Sequence, residues 1–107
     1  MAAFIPFYSN TYGKLREIFS EHCNLSLEQY EVISGEFIYL IADIQDGKPQ
    51  EEIEERMHKM RIIFDFLLET KELTRKEHIA LHELVDDIWE SAQEEIIQAA
   101  MREGTVL

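Results

Sequence analysis

Four histidines, His22, His58, His78 and His82, are the residues of this 107-residue chain best suited to chemistry. His78 and His82 stand four apart, and on a helix that spacing turns both rings toward one point where an ion could sit. Glu55 and His58 have the carboxylate-x-x-His spacing with which helical bundles hold paired iron ions. Asp86 and Asp87 follow His82 by one further turn. Together Glu55, His58, His78 and His82 outline a metal-binding bundle as one candidate function.

Residue counts argue against that function. A ferritin-like centre takes two Glu-x-x-His pairs and two further glutamates, whereas here Glu55 with His58 stands alone. A hemerythrin-like centre takes five histidines, and Ile62 stands where that pattern puts a Glu after His58. A histidine phosphotransfer domain would need a small residue closely following its exposed histidine, and the His58-Lys59 pair lacks one. Cys23 beside His22 does not make a nucleophile and base, because neighbours on a helix point about 100° apart. Cys23 reads instead as a small buried hydrophobe. With no glycine-rich phosphate loop, nucleophile elbow or zinc spacing, the expectation is a protein that is not an enzyme and holds neither metal nor cofactor.

Charge carries more information. Twenty-two acids against ten bases give a net charge of -12. That field opposes direct contact with nucleic acid or an anionic membrane, and draws in basic proteins, including those whose own ligand is nucleic acid. The acids are also patterned. Glu83, Asp87, Glu90 and Glu94 recur at four, three and four residues, so on a helix they share one face over about 16 Å. Asp86 flanks that face, Glu95 lies nearer the apolar side, and few lysines stand at the compensating four-residue offset. Trp89, between the acidic and apolar sides, is suited to anchoring a partner, since Trp is enriched at interface hot spots. Glu83, Asp86, Asp87, Trp89, Glu90 and Glu94 are therefore the candidate partner-binding residues. The expected function is binding, with inhibition, of a basic partner such as a nuclease, by an immunity-type or phage-type antagonist that imitates nucleic-acid charge.

The elements that must position these residues are helices. Four glycines and two prolines supply too few turns for an all-β fold. The first segment, about Ser9 to Cys23, places Tyr8, Tyr12, Leu15, Phe19 and His22 on one face, with Ser9 or Asn10 as cap. The second opens on a capping box, Ser26 with Gln29, carries Tyr30, Ile33, Phe37, Ile41 and Ile44, and stops at Gly47. Its middle, Phe37 to Ala42, has no polar face and would also suit a short buried strand, although the periodicity on both sides favours a helix. The third starts at Pro49 with Glu51, Glu52, Glu54 and Glu55 at its positive end, and aligns Ile53, Met57, Met60, Phe64 and Leu67. Ile62, Ile63, Phe66 and Leu68 widen its stripe. The fourth opens on Thr74 with Glu77 and lines up Ile79, Leu81, Leu84, Val85, Ile88, Ala92, Ile96 and Ala99, with Arg102 and Gly104 at its end.

Four amphipathic helices joined by short turns predict one all-α domain over residues 1–107, an antiparallel four-helix bundle of up-down-up-down order. Excess apolar surface on helices two and three predicts cover by a partner or by a second copy in a homodimer. A structural homo-oligomer is thus a further candidate function. A single cysteine cannot form an internal disulfide. Met1 to Tyr8 is apolar but has no basic segment and is broken by Pro6, unlike a secretory signal. The longest apolar run is far below the ~20 residues of a membrane span. A cytoplasmic location is expected. The terminal Thr105, Val106 and Leu107 match the pattern that strand-addition domains read, but three residues match by chance too often to count.

Overall fold

The computed structural model describes Thr11, residues 13–19 and residues 25–104, with side chains described through Glu94. Among these residues there are four helices and no strand. They are α1 (residues 13–18), α2 (Leu27–Gln45), α3 (Gln50–Glu69) and α4 (Arg75–Gly104). Side-chain pairs fix their directions. Arg56 on α3 reaches Asp43 on α2, and Phe64 stacks on Phe37, so position rises on one helix as it falls on the other. Asp65 meets His78 and His82 while Arg61 meets Asp86, which makes α3 and α4 antiparallel in the same way. Lys14 of α1 lies near Asp87, and Phe19 just beyond α1 packs edge-on to Tyr30 near the start of α2. The chain therefore runs up, down, up and down. This is the four-helix bundle that the spacing predicts.

The helix ends form where the sequence signals them. The Ser26 hydroxyl accepts from the Gln29 amide while the Gln29 side chain accepts from the Ser26 amide. Thr74 and Glu77 make the same reciprocal pair before α4. Pro49, whose missing N–H costs nothing there, directly precedes α3. Both α2 and α3 end in a paired backbone turn. Gly47 donates to Ile44 and Lys48 to Asp43; Lys71 donates to Leu68 and Glu72 to Leu67. This turn requires a left-handed residue at its second position. Gly47 takes it freely at φ +70°, but Lys71 holds φ 64° with a side chain attached. A non-glycine residue there costs about 1 kcal/mol. Lys71→Gly is accordingly expected to raise the melting temperature by roughly 5 °C. A thermal melt checks it, and an unchanged or lower midpoint would count against the strain.

The buried set is close to the predicted stripes. On α3 it is Ile53, Met57, Met60, Phe64 and Leu67. On α2 it is Ile33, Ser34, Phe37, Leu40, Ile41 and Ile44, with Tyr30 only half-buried. Phe37 to Ala42 is helical throughout, which settles the choice between helix and strand. The polar face missing from that run is supplied from α3, where the Arg56 guanidinium lies 5.5 Å from the exposed Tyr39 ring. On α4, Leu81, Leu84, Val85, Ile88 and Ala92 are buried.

Three expectations change. Ile79 points outward, because it lies about 160° around α4 from Leu81. Ile62 and Phe66 likewise stand on the outer side of α3, while Ile63 and Leu68 are half-buried at its flanks. Gly104 is the last residue of α4 rather than the residue after it. The side chains of Glu95, Ile96, Ala99 and Arg102, and the expectations for Tyr8, Ser9, Asn10, Tyr12, His22, Cys23 and Thr105 to Leu107, lie outside the described residues. No helix among the described residues is long and apolar enough to cross a membrane.

Candidate functional site

The acidic face of α4 is formed as the spacing predicts. Glu83, Asp87, Glu90 and Glu94 are all exposed, and lie roughly opposite the buried Leu81, Val85, Ile88 and Ala92. The cause is the arrangement of the bundle: α3 and α2 pack against the core side of α4, and the core residues turn the carboxylates away from both. From Glu77 to Met101 the helix carries no lysine or arginine. Neutralisation could therefore come only from other elements.

The other elements supply very little. Lys14 approaches Asp87 at 3.9 Å, with both side chains about half exposed. A pair so long and so well solvated contributes little. Among the described residues, Glu83, Glu90 and Glu94 have no ion pair or side-chain hydrogen bond. Asp86 differs from them. Its Oδ1 accepts from Arg61 Nη2 at 2.5 Å, so its charge is already matched from α3. Trp89 is half-buried and packs against the core from the edge of α4. Of the six predicted partner-binding residues, then, three glutamates stand as open charges. Asp87 is loosely held, Asp86 is paired, and Trp89 is partly sheltered.

The structure also gathers a group that the spacing gave only in part. His78 and His82 turn toward α3 and meet the carboxylate of Asp65. His78 Nε2 is 2.6 Å from Asp65 Oδ1, His82 Nε2 is 3.2 Å from the same oxygen, and the two Nε2 atoms are 3.1 Å apart. The opposite nitrogen of His82, Nδ1, lies 2.8 Å from Arg61 Nη1. A guanidinium has donors only, so Nδ1 must accept, and the His82 ring proton sits on Nε2 facing Asp65. The His82 ring also stands edge-on to Phe64, 5.6 Å between centroids, which fixes its plane against the core. The hydrogen bond from His78 lowers the pKa of the Asp65 carboxyl from its ordinary value; desolvation opposes this, and His82 adds to the lowering.

Glu55 and His58 take no part in this group. Both are exposed, and Glu55 lines a shallow depression on the α2 side of α3 with Asp43, Lys48 and Arg56. Asp65 is two turns beyond His58, about 10 Å along α3. Its place on α3, four residues after Arg61 and seven after His58, gave no sign that it faces His78 and His82 on the next helix.

No protein-family model, curated protein or solved structure matches this chain. The functional reading therefore rests on the geometry of these two sites.

Proposed function

We propose that the protein is a non-catalytic binding protein that docks a basic partner protein on the outer face of α4 and inhibits it. The observation behind this reading is the row of exposed Glu83, Glu90 and Glu94, which no cation meets among the described residues. Aligned like charges repel one another, and a positively charged surface relieves that cost. With Asp87 the row has four charges over about 16 Å, or one per about 5 Å, against one per about 3.4 Å along a DNA strand. That density suits the basic groove of a nuclease or another nucleic-acid-binding protein. Trp89 at the edge of the face gives an aromatic anchor beside the charges.

The test is capture from a lysate of the organism that carries the gene, using the wild type and the variant E83K/D87K/E90K/E94K. A basic protein held by the wild type and lost from the variant is the expected result. Equal retention of the same protein by both would remove the reading.

Self-association is a second reading, with a specific observation in its favour. Val32 and Tyr39 on α2, and Ile62 and Phe66 on α3, remain more than half exposed, although burying each would be favourable. Sedimentation equilibrium over a wide concentration range is expected to show a monomer–dimer equilibrium that Ile62→Lys with Phe66→Lys abolishes. A monomer at every concentration would end this reading.

A further inference from the structure

We propose that Asp65, His78 and His82 form a binding site for one divalent late transition-metal ion, of which zinc is the reference case, and that the ion clasps α3 to α4. Three potential ligand atoms already converge: Asp65 Oδ1 and the Nε2 atoms of both histidines, with separations of 2.6, 3.1 and 3.2 Å. Around a tetrahedral zinc ion with bonds of about 2.0–2.1 Å, neighbouring ligand atoms lie about 3.3 Å apart. Two of the three separations are nearly at that value. The third must open by about 0.7 Å, and the Asp65 side chain is 63% exposed and free to turn by that amount.

The positions of the rings favour the same chemistry. His78 and His82 are one turn apart on α4, and the Phe64 edge contact orients the second ring, so little freedom is lost on binding. Two imidazoles and one carboxylate are a donor set that suits zinc and its neighbours in the series better than calcium or magnesium, which prefer oxygen alone. With three protein ligands, the fourth position opens to solvent on the Asp65 side and takes water.

Arg61 sets what must change. In the metal-bound state each Nε2 gives its lone pair to the ion, and each ring keeps one proton, now on Nδ1. The Nδ1–H of His82 then faces a donor, so Arg61 must withdraw Nη1. It keeps a hold in doing so, because Nη2 already donates to Asp86. Asp65 brings one negative charge to the ion, within a chain of net charge -12. This site shares no ligand set with ferritin-like or hemerythrin-like centres, which is why counting residues against those patterns predicted no metal.

The test is calorimetric titration of the full chain, freed of metal by a chelator, with zinc chloride. One ion per chain is expected. Asp65→Asn and His78→Ala should each weaken binding by about tenfold or more, while His58→Ala leaves it unchanged. Asp65 is exposed, so its variant tests the site without disturbing the core, and the circular dichroism of each variant confirms the fold. Zinc should also raise the melting temperature of the wild type but not that of His78→Ala. No binding, or binding that both Asp65→Asn and His78→Ala leave intact, would overturn the proposal.

Discussion

Phe64→Ala is expected to cost about 3–5 kcal/mol and to bring the bundle close to unfolding at ordinary temperature. Phe64 is fully buried, stacks on Phe37 of α2 at 6.0 Å and receives the edge-on ring of His82 from α4. It thus touches both of the other long helices. Truncation leaves a cavity that the rigid neighbours on α2 and α4 close poorly, so the loss exceeds the transfer term alone. Thermal melts should show a fall of the order of 20 °C. The matched control lies two residues along the same helix: Phe66 is 60% exposed, and Phe66→Ala should move stability by no more than about 0.5 kcal/mol. Similar losses for the two variants would mean that the inward and outward faces of α3 are wrongly placed.

The second large effect is on association. Reversing Glu83, Asp87, Glu90 and Glu94 to lysine should slow encounter with the proposed basic partner by about 10- to 1000-fold, the range over which electrostatic steering acts. Each exchange changes the charge by two, so the four take the net charge from -12 to -4. The wild-type association rate should fall steeply as salt is added, because exposed charges are screened over about 10 Å at 0.1 M. Helicity should persist, since all four positions are solvent-facing and none makes a side-chain hydrogen bond. A variant that is folded yet associates at the wild-type rate would show that these carboxylates do not guide the encounter.

Much of the fold was legible in the sequence because local chemistry and tertiary packing agree there. The capping boxes at Ser26 and Thr74 form in full, and the five α3 residues at heptad-like spacing are its buried set, whereas Ile62 and Phe66 of the widened stripe face outward. Ile79 misled because its apolar type was read with the stripe, although two residues before Leu81 it falls nearly opposite that face of α4. The α3 terminus carried no glycine signal, since Lys71 takes the left-handed place that glycine usually holds.

The sites divide along the same line. The acidic face depends on spacing within one helix, and α4 displays it as written. The Asp65 group depends on how α3 lies against α4, and spacing pairs only neighbours on one helix. His78 with His82, and Arg61 with Asp65, each stand four apart, but nothing in the spacing showed that the two pairs meet. Asp86 shows the same limit in reverse, because its flanking place on α4 gave no sign that Arg61 reaches it from the next helix.

The docking face, as distinct from net charge, is tested most directly by comparing two variants of equal charge. One carries lysine at Glu83, Asp87, Glu90 and Glu94; the other carries it at Glu31, Asp46, Glu55 and Glu69, exposed acids on α2, at its end and on α3. Association rates with the captured partner are measured for both at one ionic strength. The first variant should bind at least about tenfold more slowly than the second. Equal slowing would mean that only overall charge matters, and that α4 presents no dedicated surface.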